Sequence, residues 1–137
     1  MTTINTDIYN ALMAGVNSTI TDMPLAWENV GETPTLPTAF CRVDMLPHSV
    51  EPASLGLEGY NEHRGTLLLT LHYPLGQGSA AAVTKIDSIA STLKRGVTLS
   101  SGSALVRIES VWRQPAAYDK AWAKFPIQLR WRCHAES

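Results

Sequence analysis

The chain begins with apolar residues at every fourth position, the spacing that places side chains on one face of an α-helix. This stripe predicts a helix over residues 3–21, with Asp7 at the positive end of the helix dipole. Pro24 ends the helix because a residue before proline is pushed out of the helical region. The stripe consists of Ile4, Ile8, Ala11, Leu12, Gly15, Val16 and Ile20.

A second helical pattern covers residues 79–95. Ser79 is suited to cap its first turn, and Gly96 is suited to the position just after its last turn. The basic residues near its end suit the negative end of the dipole. Its apolar stripe consists of Ala82, Val83, Ile86, Ile89, Ala90 and Leu93.

The segments after the first helix alternate in the manner of β-strands. Residues 25–30 predict a short extended piece, residues 39–46 a strand, and residues 57–75 the strongest strand. Residues 97–115 predict a short strand, a Ser-Gly turn and a longer strand. A last strand is predicted over residues 122–134.

The alternation also predicts which side chains share a face. In residues 122–134, the predicted buried face holds Ile127, Leu129, Trp131 and Cys133. In residues 57–75, that face holds Leu67, Leu69, Leu71 and Tyr73. In residues 97–115, the pattern groups Val106, Ile108, Ser110 and Trp112 against Leu105, Arg107, Glu109 and Val111.

Glycine and proline modify this picture at several points. Gly65 suggests a β-bulge. Pro126 lacks a backbone N–H and predicts that the last strand lies at, or enters from, a sheet edge. Residues 31–38 and 116–121 are predicted as a loop and a turn, and residues 47–56 as a loop or an irregular edge.

Helices separated by runs of strands predict an α+β fold. We expect a mostly antiparallel β-sheet with two α-helices packed on one face, in a single domain covering residues 1–137. Apolar residues make up 45% of the chain and charged residues 17%, which is ordinary for a globular domain.

Two cysteines, Cys41 and Cys133, lie in apolar runs and outside any CxxC pair. They are interpreted as buried thiols, because a disulfide between them would need oxidising conditions. The N-terminus lacks a signal-peptide pattern, and no apolar run approaches the roughly 20 residues of a membrane span. A reducing cytoplasm, with no membrane partner, is therefore expected.

The net charge of −1 hides an asymmetry along the chain. Residues 1–62 carry eight acids and one base, whereas residues 63–137 carry ten bases and four acids. Interleaved strands would cancel this difference. The alternative is a polar molecule whose acidic face meets the basic face of a neighbour. Specific nucleic-acid binding is not expected, because the bases are spread along a slightly acidic chain.

Candidate catalytic chemistry is sparse. The chain contains no GxxxxGK[ST], GxGxxG, GxSxG or HExxH motif. The histidines, His48, His63, His72 and His134, are interpreted as solvated strand or loop residues. We therefore predict no catalytic residues, no cofactor, no metal site and no enzyme activity.

Two of the four tryptophans have arginine neighbours in the sequence. Arg113 follows Trp112, and Trp131 lies between Arg130 and Arg132. These residue types anchor protein interfaces, although a tryptophan can equally close one end of a sheet. Trp27 is interpreted in the second way, as a structural plug where the first helix meets the sheet.

The order of segments resembles that of a known family across nearly the whole chain. The residues that carry the resemblance are Trp-Glu-Asn at 27–29 and "YPLGQG" at 73–78, with "AFCRVDMLP", "LKRGVTL" and "FPIQLRW" in the same order. The chain resembles the tail terminator-like proteins of long-tailed bacteriophages.

The resemblance implies a structural virion protein that caps the tail tube as a hexameric ring. Such a ring ends tube growth and offers the surface that joins the head. The implied partners are other copies of the chain, the tail tube protein and a head-completion or neck protein, with DNA able to pass through the ring. The implied location is the head-proximal end of the tail, after assembly in the host cytoplasm.

The charge split and the aromatic–arginine pairs suggest where subunits or the tube could meet. The candidate interface consists of Glu58, Tyr60, Glu62, Arg64, Arg113, Arg130 and Arg132. Two other functions remain open at this point. One is a different neck or tail-tube protein of the virion, and the other is a small α+β ligand-binding domain or enzyme.

Overall fold

The structure is a computed structural model that describes residues 4–21, 23–27, 39–46, 49–52, 60–76, 80–102, 104–119 and 121–136. Within these ranges the chain forms two helices and eight strands. In chain order they are α1 (Ile4–Thr19), β1 (Leu25–Trp27), β2 (Phe40–Met45), β3 (Ser49–Pro52), β4 (Tyr60–Pro74), α2 (Ala80–Thr92), β5 (Thr98–Ser101), β6 (Ala104–Arg113), β7 (Ala117–Tyr118) and β8 (Trp122–Glu136).

The strands form one sheet in the order β1-β2-β4-β8-β6-β5, with β3 paired to β4 and β7 paired to β8. All described pairings are antiparallel except that of β1 with β2. The predicted combination of two helices with a mostly antiparallel sheet is confirmed. β4 separates the strands of the acidic N-terminal half from the C-terminal strands β8, β6 and β5, so the two halves interleave little in the sheet.

One face of the sheet, here called the core face, is apolar as the alternation predicted. The buried residues of α1 and α2 belong to the same hydrophobic cluster. α1 contacts β5 and β6, and α2 contacts β6. The packing of both helices on one face goes beyond these contacts and remains a prediction. The strand residues of the core face include Cys41, Val43, Leu67, Leu69, Leu71, Val106, Ile108, Ile127, Leu129, Trp131 and Cys133.

The long β4–β8 pair runs in one register from Tyr60 opposite Glu136 to Pro74 opposite Trp122. The β4–β8 pair therefore has no bulge at Gly65. On the other side of β4 the register shifts by one residue between Met45 opposite Leu67 and Ser49 opposite Arg64, so the irregularity there lies in the partner chain segment and not in β4. Gly65 lies directly opposite Trp131, and directly opposite residues share a face of the sheet. Trp131 is fully buried, and the glycine opposite it adds no side chain to that face.

The bulge lies instead in β6, where the register to β8 shifts between Ile108 and Ser110. The shift inserts one residue and reverses the alternation that follows it. Val111 now lies opposite buried Leu129 and packs against the core. Trp112, predicted to share a face with Val106 and Ile108, points to the opposite face.

β8 is a central strand, so the prediction of an edge position from Pro126 is wrong. The proline is tolerated because β6 and β7, which pair with β8 on the same side, leave a gap between them. On one side β6 ends with Arg113 opposite Ile127, and β7 begins with Ala117 opposite Lys124. The carbonyl of Pro126 accepts the N–H of Gln114 on that side. In an antiparallel ladder the N–H of a residue points to the same side as its C=O. The missing donor therefore faces the gap between β6 and β7.

The segment predicted as a loop or irregular edge over residues 47–56 contains β3, which pairs with the beginning of β4. A strand was not predicted here because β3 has only four residues, follows Pro47 closely and ends with Pro52. Residues 28–38 and 53–59, including the Pro-rich loop, lie outside the described residues. Trp27 is half-buried, packs against the core and lies 6.2 Å from Tyr9 of α1 between ring centroids, which agrees with its interpretation as a plug.

Candidate functional site

The face of the sheet opposite the core face, here called the outer face, carries most of the exposed charge of β4, β6 and β8. Arg64 on β4 lies directly opposite Arg132 on β8, and Arg132 lies directly opposite Arg107 on β6. Such positions have Cα atoms about 4.5–5.5 Å apart, so the three arginines form one transverse row. We call these three residues the arginine row.

Glu62 partly neutralises one end of this row. Arg64 Nε donates a hydrogen bond to Glu62 Oε1 at 2.8 Å, and His134 Nε2 lies 3.8 Å from the same oxygen. The hydrogen bond from Arg64 is the main reason that the pKa of Glu62 falls below its usual value, and the pKa of Arg64 rises in return. Glu62 and Arg64 thus already satisfy each other within one chain.

Arg130 lies one step further along β8, on the same face. Its guanidinium carbon is 5.4 Å from the centroid of the Trp112 ring, the geometry of a cation–π contact. The bulge in β6 creates this contact because it turns Trp112 to the outer face. The neighbouring tryptophan and arginine anticipated from the sequence therefore meet across strands and not along one strand.

The predicted interface residues do not all lie together. Glu62, Arg64, Arg130 and Arg132 share the outer face. Arg113 lies opposite Ile127, so its side chain starts from the core face and is exposed only because it lies at the end of β6. Glu58 and the side chain of Tyr60 lie outside what the structure describes.

Two residues that sequence reasoning did not select lie beside this cluster. Arg107 completes the arginine row, and Leu105 is 62% exposed on the same strand. Both line a shallow depression together with Thr98, Arg132 and His134. The alternation in β6 did place Leu105 and Arg107 on one face, but the pairing of β6 with β8 was not deducible from the sequence.

The other end of the outer face is covered by aromatic side chains. Phe40 stacks on His72 with ring centroids 4.4 Å apart, and the edge of Trp122 meets both rings. His72 Nδ1 donates to the carbonyl of Thr70 at 3.1 Å. His72 is 7% exposed, and its burial lowers the pKa of the ring.

The histidine and cysteine predictions have mixed outcomes. His63 is 5% exposed and lies on the core face. The prediction of solvated histidines is therefore wrong for His63 and His72, because the cross-strand neighbours that cover them are remote in sequence. Cys41 and Cys133 are buried free thiols, as predicted. Burial raises the pKa of Cys41 to about 12 and also raises that of Cys133.

In the part of the chain that the structure describes, no group of three or more His, Cys, Asp or Glu side chains could hold a metal ion. Neither described helix is long and apolar enough to span a membrane. The most distinctive described feature is thus an arginine-rich surface with an exposed leucine, a composition that suits macromolecular contact.

Comparison with known families shows to which class of protein this chain belongs. A family described as "Phage tail terminator protein" matches residues 7–131. The chain belongs to the phage tail terminator family. This family is one of structural virion proteins, which fits a structural role in a phage tail and not a catalytic one.

Solved structures resemble this terminator family member in fold. One, which bears no functional name, has a TM-score of 0.65 and 18% identity, and the match covers 91% of this chain and 94% of the other. Another is described as the virion of a native gene transfer agent particle, with a TM-score of 0.51 and 17% identity over 95% of this chain and 93% of the other. No curated protein sequence matches the chain.

Proposed function

We propose that this chain caps the phage tail tube as a homo-hexameric ring, ends the growth of the tube and offers the surface that joins the head. The observation that carries the proposal is the family match, which extends from α1 into β8 over residues 7–131. The fold likeness to a chain of a virion particle supports the same assignment.

In this proposal the ring forms in the host cytoplasm and stays at the head-proximal end of the tail. Its partners are other copies of the chain, the tail tube protein and a head-completion or neck protein. DNA passes through the ring without sequence-specific contacts. Packing of both helices on the core face would leave the outer face free for these partners.

A closed ring needs two different patches on each copy, which meet head to tail. We place parts of these patches at Glu58, Tyr60, Glu62, Arg64, Arg113, Arg130 and Arg132. Clustering of four of them on the outer face supports this choice. The near separation of acidic and basic halves on either side of β4 also supports it, because complementary charge fixes the register of association.

A tube-growth assay tests the function directly. Purified tail tube protein is polymerised with and without this chain, and tube lengths and end labels are read by electron microscopy. A terminator stops elongation at a sub-stoichiometric ratio and labels one end of each tube. Labelling along the whole tube would identify a tube subunit, and binding to purified heads without effect on tubes would identify a different neck protein. Either result would contradict the proposal.

The interface assignment is tested by neutralising pairs of charges. Arg130→Gln with Arg132→Gln, or Glu58→Gln with Glu62→Gln, should weaken ring formation on tubes most strongly at low salt, since salt screens exposed charges. Ring formation that stays unchanged at every salt concentration would remove these residues from the interface while leaving the terminator function intact.

A further inference from the structure

The arginine row is the centre of a longer line of hydrogen-bond donors across the outer face. Ser49 on β3 lies opposite Arg64, and Thr98 on β5 lies opposite Arg107. The line therefore crosses the five strands β3, β4, β8, β6 and β5 with three guanidinium groups flanked by two hydroxyl groups. Guanidinium groups donate only, and they match the planar geometry of carboxylates.

This arrangement is unfavourable in the isolated chain. Like charges directly opposite each other in a sheet are destabilising. Arg64 is compensated by Glu62, but Arg107 and Arg132 form no ion pair with any described residue. The charge of Arg132 does act on Glu62, and Glu109 lines a depression with both arginines. With no close ion pair of their own, Arg107 and Arg132 still have donors available for a further carboxylate from outside.

The surroundings of the row favour carboxylates of a protein over phosphates of a nucleic acid. Leu105 is 62% exposed next to Arg107, and an apolar side chain of this kind contributes to protein interfaces. Glu51 and Glu62 lie directly opposite each other on the same face, two residues along their strands from the arginine row. Glu109 lines a second depression with Arg95, Arg107 and Arg132. A nucleic-acid backbone brings a negative charge at every phosphate and would meet these carboxylates. A protein segment can carry a few carboxylates spaced to meet the arginines, with apolar side chains against Leu105.

The N-terminal half of the chain has the complementary charge. Its first 62 residues hold eight acids and only one base, Arg42. That base is already engaged, because its Nε lies 3.2 Å from Asp44 Oδ2. The first 62 residues therefore carry more carboxylates than bases, whereas all three arginines of the row come after residue 62.

From these observations we infer that Arg107 and Arg132, with Leu105 beside them, bind an acidic segment from the N-terminal half of a second copy of this chain. The inference rests on the proposed ring and deepens it, because it names the receiving surface and the chemistry of the segment received. It also assigns Glu62 and Arg64 a different role, in which they satisfy each other and position the row.

The test reverses the charge of the receiving surface. Arg107→Glu combined with Arg132→Glu should reduce self-contacts of the chain on tail tubes by about tenfold or more at low salt, measured by cross-linking and mass spectrometry. Because Arg107 and Arg132 lie directly opposite each other, the double variant still has a like-charge pair, so its urea unfolding midpoint is measured to confirm that it is folded. The matched control is Lys94→Glu, an exposed cation off the row, compared with the single reversal Arg107→Glu. Lys94→Glu should keep the self-contacts, whereas Arg107→Glu should weaken them.

A second reversal identifies the occupant. Glu28, Glu32, Glu51 and Glu58 are each changed to Arg in the row-reversed chain, and at least one combination should restore the self-contacts. If no combination restores them, or if row reversal leaves them unchanged, the inference is wrong. Loss of binding to a short DNA duplex with self-contacts intact would also overturn it and assign the surface to a nucleic acid.

The two proposals fail in different ways. A wild-type chain that neither stops tube growth nor labels tube ends would contradict the terminator function. A row-reversed chain that caps tubes as well as the wild type, with the same self-contacts, would contradict only the inference about Arg107 and Arg132.

Discussion

Gly15 of α1 offers the sharpest test of how the helix approaches the sheet. A glycine in the middle of a helix is unfavourable compared with alanine by about 1 kcal/mol. The structure gives a reason for its presence, because a Cβ atom on Gly15 would lie 2.6 Å from Leu99 Cδ1 and 2.9 Å from Cδ2 on β5. Carbon atoms prefer about 3.5–4.0 Å. Leu99 or α1 would therefore have to move by about 1 Å.

Gly15→Ala combines two opposing effects. The alanine should gain about 1 kcal/mol of helix propensity. Overpacking against Leu99 should cost about 1–3 kcal/mol. We expect a net loss of about 1 kcal/mol in the free energy of unfolding, although alanine is the better helix former.

A double-mutant cycle separates the two effects. In a Leu99→Ala background the clash disappears, so Gly15→Ala should raise the free energy of unfolding by up to about 1 kcal/mol. The expected coupling energy between the two positions is about 2 kcal/mol, which is typical of residues in contact. The exposed neighbour Ala14 provides the control, because Ala14→Gly reports helix propensity without a contact to β5.

The measurement is urea unfolding at equilibrium, followed by circular dichroism and by tryptophan fluorescence. The reversal of sign between the two backgrounds is the critical result. If Gly15→Ala stabilises the wild type and the Leu99→Ala variant equally, the close approach of α1 to β5 does not exist in solution.

Three further predictions follow from half-buried and buried side chains. Trp27→Ala should lower the free energy of unfolding by about 3 kcal/mol in urea unfolding, the lower end for a large aromatic residue because Trp27 is only half-buried; a stable variant that fails to assemble would instead make Trp27 an interface residue. Burial lowers the pKa of His72 in the folded chain, so as the pH falls the unfolded chain takes up a proton at this residue before the folded chain does. Stability should therefore fall as the pH drops below about 6.5. His72→Phe should flatten this slope, whereas His134→Gln, at an exposed position, should not. Cys41 should not react with a thiol reagent at pH 8 until the chain unfolds, because its pKa is about 12 and its side chain is buried; rapid labelling of the folded chain would contradict its burial.

The sequence alone predicted the helices and strands whose buried side chains recur at a regular spacing. Ile8, Leu12 and Val16 of α1 are buried as the fourfold spacing predicted. Leu67 and Leu69 of β4 are buried as the alternation predicted. A local period works here because the apolar side of each element faces one continuous core.

Predictions from the sequence were wrong where the role of a residue depends on its neighbour on another strand. Gly65 indicated a bulge in its strand, but β4 pairs with β8 in one unbroken register with Gly65 opposite Trp131. Pro126 indicated an edge, but the strand is central and the proline faces the gap between β6 and β7. The real bulge, next to Glu109, has no glycine or proline to mark it.

The candidate site shows the same division. The distribution of charge along the sequence showed the excess of bases in the second half of the chain and of acids in the first half. Together with the tryptophan–arginine neighbours, it selected four of the residues that lie on the outer face. The family resemblance in the sequence pointed to a phage tail protein, and the match over residues 7–131 confirms it.

Tertiary structure decided how those charges are arranged. Strand pairing aligned Arg107 with Arg132 and Arg64, although the three residues come from distant parts of the chain. The β6 bulge turned Trp112 toward Arg130 and left Arg113 on the other face. Register between strands depends on the packing of a whole core, so a local pattern can predict which residues are exposed but not which exposed residues meet.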